Sequence, residues 1–250
     1  MQKIDRHDYI IHQVNLHNKV LLNDLSEQLH VSNDTIRRDL QELSDLGRVI
    51  KVHGGAVSLS FHGGGHQSGN DVYAYTQKKI IARKAISLIR DGMFVLTGGG
   101  TTVIEMARAL PNDLSATFIS GSLPALLEYS NHPLIDVIAI GDKVSKTSRI
   151  TVGSEAIARI KELKVDICFM GINAINVEEG VSDNDWDIVQ VKKAMIEASR
   201  KLVCLTISEK INSRQVIPIC PLNKVDTLIT ELSPDDPLLR PYVRAGVRVL

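Results

Sequence analysis

Between Val31 and Ala56 the apolar positions recur first with a helical period and then with a short alternating one. Ile36, Leu40 and Leu43 fall at i, i+4 and i+7, with Leu46 on the flank, which draws one apolar stripe along a helix. At about 100° per residue, Asp34, Arg37, Arg38 and Gln41 project away from that stripe. Ser32 is suited to cap the helix at its start, and Gly47 to stop it in the left-handed conformation. Upstream, Tyr9, Ile10 and Val14 pattern a first helix, and Leu25 and Leu29 a second that ends at His30. Val31-Ser32 is left as a short turn. Beyond Gly47, Arg48 to His53 reads as a short strand, Gly54-Gly55 as a turn, and Ala56 to Leu59 as the returning strand. Two helices, a tight turn, a third helix and a hairpin match the layout in which the last helix enters a DNA major groove.

From Lys79 the pattern changes to apolar strands alternating with helices. Helices are predicted over Lys79–Arg90 (Ile80, Ala85, Leu88 and Ile89 inward), Thr101–Leu110, Leu123–Tyr129, Ser154–Leu163 and Trp186–Ser199. Strands are predicted over Met93–Leu96, Ala116–Ile119, Ile135–Ile140, Asp166–Met170, Lys201–Leu205 and Val225–Thr230. Such alternation implies a mostly parallel sheet covered on both faces, with ligands gathering at the carboxyl ends of the strands. Between the two patterns, Ser58 to Asn70 is rich in Gly, Ser and His and has no period. The predicted architecture is α/β: a winged helix-turn-helix over 1–57, a flexible linker over 58–70, and an α/β sensor domain over 71–250. His62 and His66 flank three glycines, but the composition reads as a linker rather than a metal site.

Charge complicates the first of these readings. The 250 residues carry a formal net charge of zero, and residues 1–60 hold seven Lys/Arg against eight Asp/Glu. The basic footprint usual in nucleic-acid binders is missing, so the cations must gather on one side and the acids elsewhere. His7, His12, His17, His30 and His53 could add charge beside a polyanion. The candidate DNA contacts are Ser32, Asn33, Asp34, Thr35, Arg37, Arg38 and Gln41 on the helix, with Arg48, Lys51 and His53 on the wing. Arg37, Arg38 and Gln41 suit guanine and adenine edges, and the wing residues suit phosphates. An arginine pair on a helix is also, by itself, an ordinary solvated face.

Cys168, Cys204 and Cys220 are odd in number and widely spaced, which fits neither a disulfide framework nor zinc; Cys168 and Cys204 lie in apolar runs and read as buried thiols. The start lacks a signal-peptide pattern, and no apolar run is long enough to span a bilayer, so a cytoplasmic protein without membrane contact is expected. No cofactor or metal is implied.

In the second region the strand-end loops carry anion chemistry. Gly98-Gly99-Gly100-Thr101-Thr102 joins a strand to a helix, where glycines let amides approach an anion and the helix dipole favours it. The same residues would also serve as a tight turn that holds nothing. Ser120-Gly121-Ser122 repeats the design; Gly141, Gly153 and Gly171-Ile172-Asn173 follow later strands. The candidate effector contacts are Gly98, Gly99, Gly100, Thr101, Thr102, Ser120, Gly121, Ser122, Gly171 and Asn173, with Lys192 and Lys210 as charge partners. A lysine taken singly is more often on the surface.

Val31-Ser32, Thr35 to Leu40, Leu43, Gly47 and Val52 to Ala56 closely resemble the N-terminal signature of the DeoR family of bacterial transcription regulators. The similarity continues through Lys78, Ile81-Ala82, Asp91-Gly92, Gly100 to Thr102, Gly153, Gly171, Gly180, Val191-Lys192, Lys210 and Asp226 with Ile229-Thr230. The resemblance implies a repressor of a sugar or nucleoside operon. Its sensor domain would resemble sugar-phosphate isomerases and bind a phosphorylated metabolite. A double-stranded operator with symmetric half-sites implies a homo-oligomer, dimer or tetramer.

Three departures stand out. Where the family has acidic residues, this chain has Gly98, Ile188-Val189 and Ile207. Their loss argues against isomerase chemistry, since carboxylates bind sugar hydroxyls and move protons. Asp183, Asp185 and Asp187 crowd a nearby stretch and read as solvated loop acids, and Trp186 as a packing residue. Two other readings remain at this stage. One is a sugar-phosphate isomerase-like enzyme with a helical appendage. The other is an oligomerisation module.

Overall fold

The computed structural model describes residues 1–59 and 72–250, which form two compact units, Met1–Tyr73 and Ala74–Leu250. His62, His66 and most of the predicted linker lie outside the described residues. Ser58, at the predicted linker's start, is instead buried: its amide donates to the Asn18 carbonyl and its hydroxyl to Asn15 Oδ1.

The first unit begins with α1 (Lys3–His17), β1 (Lys19–Leu21), α2 (Leu22–Leu29) and α3 (Asn33–Asp45). It ends with β2 (Ile50–Val52) and β3 (Gly55–Val57). Ile10, Val14, Leu25, Leu29, Ile36, Leu40 and Leu43 form its core with Val49 and Ala56, so the helical stripe is the buried one. Ser32 Oγ accepts from the Thr35 amide at 3.3 Å, and Gly47 takes φ +65° just past the helix. The wing is a three-stranded sheet in the order β1-β3-β2 rather than a simple hairpin. β1 is too short, at three residues, to show alternation in sequence. Gly55 packs against Val20 so closely that a Cβ would stand 1.9 Å from its carbonyl oxygen.

The second unit opens with α4 (Tyr75–Ile86), β4 (Phe94–Thr97), α5 (Thr101–Arg108), β5 (Thr117–Ser120), α6 (Leu123–Ser130) and β6 (Asp136–Ala139). A hairpin of β7 (Lys143–Val144) and β8 (Thr151–Val152) precedes α7 (Ser154–Lys161) and β9 (Ile167–Gly171). Then come β10 (Ala174–Asn176), β11 (Gly180–Asp183), α8 (Trp186–Ala198), β12 (Leu202–Leu205) and β13 (Ile217–Cys220). The unit closes with β14 (Thr227–Ile229), α9 (Arg240–Arg244) and β15 (Arg248–Val249). Seven strands pair in parallel in the order β15-β14-β12-β9-β4-β5-β6, and β10, β11 and β13 form a separate antiparallel sheet.

Some details depart from the sequence pattern. On α4 the buried residues are Lys78, Ile81, Ala82 and Ala85, while Ile80 faces outward. β6 is an edge strand and largely exposed rather than covered on both faces. Trp186 does not pack: it stands 65% exposed at the start of α8. All three cysteines are buried and free. Burial raises the Cys168 thiol to about 12 and the Cys220 thiol to about 11, far from the reactive range. No helix among the described residues is long and apolar enough to cross a membrane.

Candidate functional site

The outward side of α3 carries the predicted reading residues, each with its own local ties. Asp34 and Arg37 form an exposed ion pair at 2.7 Å, and Asn33 donates to Asn23 Oδ1 on α2. Ser32 and Thr35 share a hydroxyl contact at 3.0 Å that belongs to the cap. Gln41 is held at both ends: its amide donates to Asp45 Oδ1 at 2.7 Å and its oxygen accepts from Lys51 Nζ at 2.8 Å. Gln41 therefore links the helix to the wing. Arg38 is exposed and, among the described residues, has no ion-pair partner. Arg48, Lys51 and His53 are exposed on or beside the wing.

Two acids of this unit pair with cations of α1. Asp39 is buried 2% exposed between α1 and α3, where Arg6 Nη2 donates to it at 3.0 Å and His7 Nε2 at 3.0 Å. Glu42, one turn on, pairs with Lys3. Burial works against the Asp39 charge, but hydrogen bonds from Arg6 and His7 and their attraction hold its carboxyl below the usual range. Two acids thus pair between α1 and α3, whereas Asp34 stays on the outward side with Arg37. His7 and His12 do not join the reading face; the first binds Asp39, and the second bonds Tyr73 Oη at 3.3 Å.

In the second unit the strand-end loops divide into open and closed ones. Gly100 takes φ +117° at the start of α5, which has no side-chain cap, so the first amides of that helix lack a side-chain acceptor. Thr101 and Thr102 are buried beside it. A Cβ at Gly99 would meet the Ile150 side chain at 2.4 Å, so that side chain would have to shift to admit one. The Ser120-Gly121-Ser122 turn differs from the expected second cradle. Ser120 Oγ donates to the Thr97 carbonyl and accepts from the Ser122 amide, and the Thr151 amide donates to the Gly121 carbonyl. The β7–β8 hairpin packs on this turn, and these bonds occupy the Ser120 hydroxyl, the Ser122 amide and the Gly121 carbonyl. At Gly153 the start of α7 is likewise occupied: Asp142 accepts from the Glu155 and Ala156 amides at 2.9 and 3.0 Å.

Around the ends of β4, β9 and β12 the structure assembles lysines. Lys192 is buried and donates to Asp183 Oδ2 at 2.7 Å. Asp183 also accepts from Asn173 Nδ2 and the Asn184 amide, both at 2.8 Å. Asn173 Oδ1 and the Ile172 carbonyl accept from Lys210 Nζ at 3.3 and 3.4 Å. Asp183 is therefore a buried strand-end acid, not a solvated one. Burial would raise its pKa, but the Lys192 charge and these hydrogen bonds hold it low. Asp185 caps α8 by accepting from the Ile188 amide, and Asp187 stays exposed.

Lys78 completes the cluster, and sequence reasoning did not place it there because its apolar neighbours made α4 read as a simple amphipath. Burial lowers the Lys210 amine to about 7, helped by the charges of Lys78 and Lys192. Burial lowers Lys78 to about 8, opposed by Glu105 and Glu209. Ile188, Val189 and Ile207 are buried apolar residues, so the three departures from the acidic pattern leave no carboxylate there. Beside Gly98 and Lys192 lies a cavity of about 20 Å³ lined mostly by apolar side chains. A larger cavity, about 540 Å³, opens at the opposite, amino ends of the strands. Its acids Asp91, Asp166 and Asp226 accept from backbone amides and serve the fold.

Residues 6–61 match the DeoR-like helix-turn-helix domain, and residues 73–232 match the DeoR C terminal sensor domain. The chain belongs to the DeoR family. It is similar to the HTH-type transcriptional regulator GlpR of Haloferax volcanii, 31% identical over 90% of this chain and 89% of that one. It is also similar to the HTH-type transcriptional repressor GlcR of Bacillus subtilis, 30% identical over 94% of this chain and 90% of that one. Among solved structures, a ribose 5 phosphate isomerase A from Neisseria gonorrhoeae aligns with 55% of this chain and 53% of its own, at TM-score 0.41 and 17% identity. The protein is a DNA-binding transcription regulator. In this DeoR-family regulator the exposed arginine face lies within the helix-turn-helix match and the lysine cluster within the sensor-domain match.

Proposed function

We propose that the chain represses a sugar or nucleoside catabolic operon and loses operator affinity when a phosphorylated metabolite occupies its sensor unit. The observation that carries this reading is the trio Lys78, Lys192 and Lys210 at one strand-end site beside the uncapped start of α5. The charges of Lys78 and Lys192 bear on the half-buried Lys210, and an anion there would relieve their repulsion. A phosphate dianion suits three ammonium groups and free helix amides together.

The effector contacts proposed are Gly98 to Thr102, Gly171, Asn173, Lys78, Lys192 and Lys210. Asp183 orients Lys192. On the DNA side, Arg38 and Arg37 read base edges and Arg48, Lys51 and His53 meet phosphates. Gln41 reads a base only after leaving Asp45 or Lys51. One short helix reads few bases, so a homo-oligomer on symmetric half-sites, working in the cytoplasm, completes the reading. Coupling of about 1–3 kcal/mol between sensor and operator is the usual scale.

The test is a gel-shift titration on duplexes selected from a random pool by the full chain, with and without a panel of pentose, hexose and triose phosphates. One member should weaken binding about 5–150-fold, the span of that coupling. Indifference to every phosphorylated compound, together with a response to the unphosphorylated sugars, would overturn the effector class.

A further inference from the structure

Asp39 lies on the reading helix, one residue beyond Arg38, yet its side chain is turned into the α1–α3 interface. Arg6 grips it with two nitrogens, Nε on Oδ2 and Nη2 on Oδ1, and His7 adds a third bond at Oδ1. Lys3 and Glu42 repeat the tie one turn along both helices. The seam thus runs through Lys3, Arg6 and His7 on α1 and through Asp39 and Glu42 on α3.

Stability alone is a poor reason for this seam, because a buried ion pair is often no better than well-packed apolar residues. Its distinctive property is direction. The apolar stripe of Ile36, Leu40 and Leu43 holds α3 in place, but apolar attraction is non-directional. A forked guanidinium–carboxylate pair fixes an angle. A roll of about 10° moves a side-chain tip about 5–6 Å from the helix axis through about 1 Å. That displacement is enough to take a donor out of hydrogen-bond range of a base.

We infer that Asp39 is a positioning residue for DNA reading: gripped by Arg6 and His7, it fixes the roll of α3 on α1 and so aims Arg37 and Arg38. Asp39 itself touches no base.

The test uses the full chain and two probes, a duplex selected by the wild type from a random pool and a duplex of random sequence. Asp39→Asn should weaken binding to the selected duplex about ten- to a hundredfold, the range of one lost bidentate base contact. Binding to the random duplex should stay within about twofold, since phosphate attraction is unchanged. Arg6→Lys, which keeps the charge but removes the fork, should fall between Asp39→Asn and the wild type, and it carries the test if Asp39→Asn does not fold. Ile10→Val, which loosens the same core without touching the seam, should lower the melting temperature and leave discrimination intact. Wild-type discrimination in both seam variants would overturn the inference. So would an equal loss of discrimination in Ile10→Val at matched melting temperature.

Discussion

The two units handle charge in opposite ways. The helix-turn-helix unit keeps its candidate DNA contacts exposed and neutralises two acids at a helix interface. The sensor unit buries most of its candidate effector contacts and gathers three lysines at one strand-end site, where Asp183 holds Lys192 and the charges of Glu105 and Glu209 act on Lys78. An exposed guanidinium is hydrated while DNA is absent, so the reading face carries little cost without its partner. A buried ammonium has lost its water, and the fold bears that cost until an anion arrives. On the proposed reading, the first unit meets a ligand larger than itself and the second takes one in. A regulator needs both behaviours, because only a ligand bound differently in two states can shift operator affinity.

The sharpest way to break the contrast is to remove one buried charge. Lys192→Met should destabilise the sensor unit by about 3–5 kcal/mol, because it strands the buried Asp183 carboxylate. The double variant with Asp183→Asn should recover much of that loss, and denaturant melts of both variants would measure it. Removing an exposed charge should leave folding unchanged. Arg38→Ala should keep the wild-type melting temperature yet weaken binding to a selected duplex about ten- to a hundredfold. Undiminished affinity in a gel shift would remove Arg38 from the reading face.

The sequence made one side of this contrast far more visible than the other. In the first unit, helical periodicity, the Ser32 cap and Gly47 gave the helices and the turn, since each is a local signal. β1 was hidden because three residues carry no period, and Asp39 because its partners Arg6 and His7 lie more than thirty positions away. In the sensor unit the alternation of strands and helices was legible. The state of each loop was not. Gly100 and Gly121 look alike in sequence, but the β7–β8 hairpin bonds the carbonyl of Gly121, while Gly100 opens a helix with no side-chain cap. Lys78, Lys192 and Lys210 are 132 positions apart at the extremes, and only the sheet order brings them together. Burial of lysine contradicts its ordinary preference, which is why a lysine on a helix reads as surface until its neighbours are known.

Two smaller effects sharpen the comparison. Lys210 sits near 7 in the fold against 10.5 in the unfolded chain, so between those values the unfolded state binds more protons. Stability of the sensor unit should therefore rise with pH from about 7 to about 10, and saturating phosphate should flatten the rise by restoring the proton. Thermal melts at several pH values, with and without phosphate, would follow it. Thr101→Val, which removes one hydroxyl at the open helix start, should weaken the effector response severalfold, as one lost hydrogen bond does. DNA affinity without effector should be unchanged in the same titration.

The central claim is that Lys78 and Lys210 take up protons when an anion binds. Calorimetric titration of the full chain with inorganic phosphate and sugar phosphates at pH 8, in buffers of different ionisation enthalpy, counts the protons that move on binding. Uptake of a sizeable fraction of a proton or more, vanishing below about pH 6 where Lys78 and Lys210 are already charged, is the predicted result. Binding with no proton uptake at pH 8 would contradict the account.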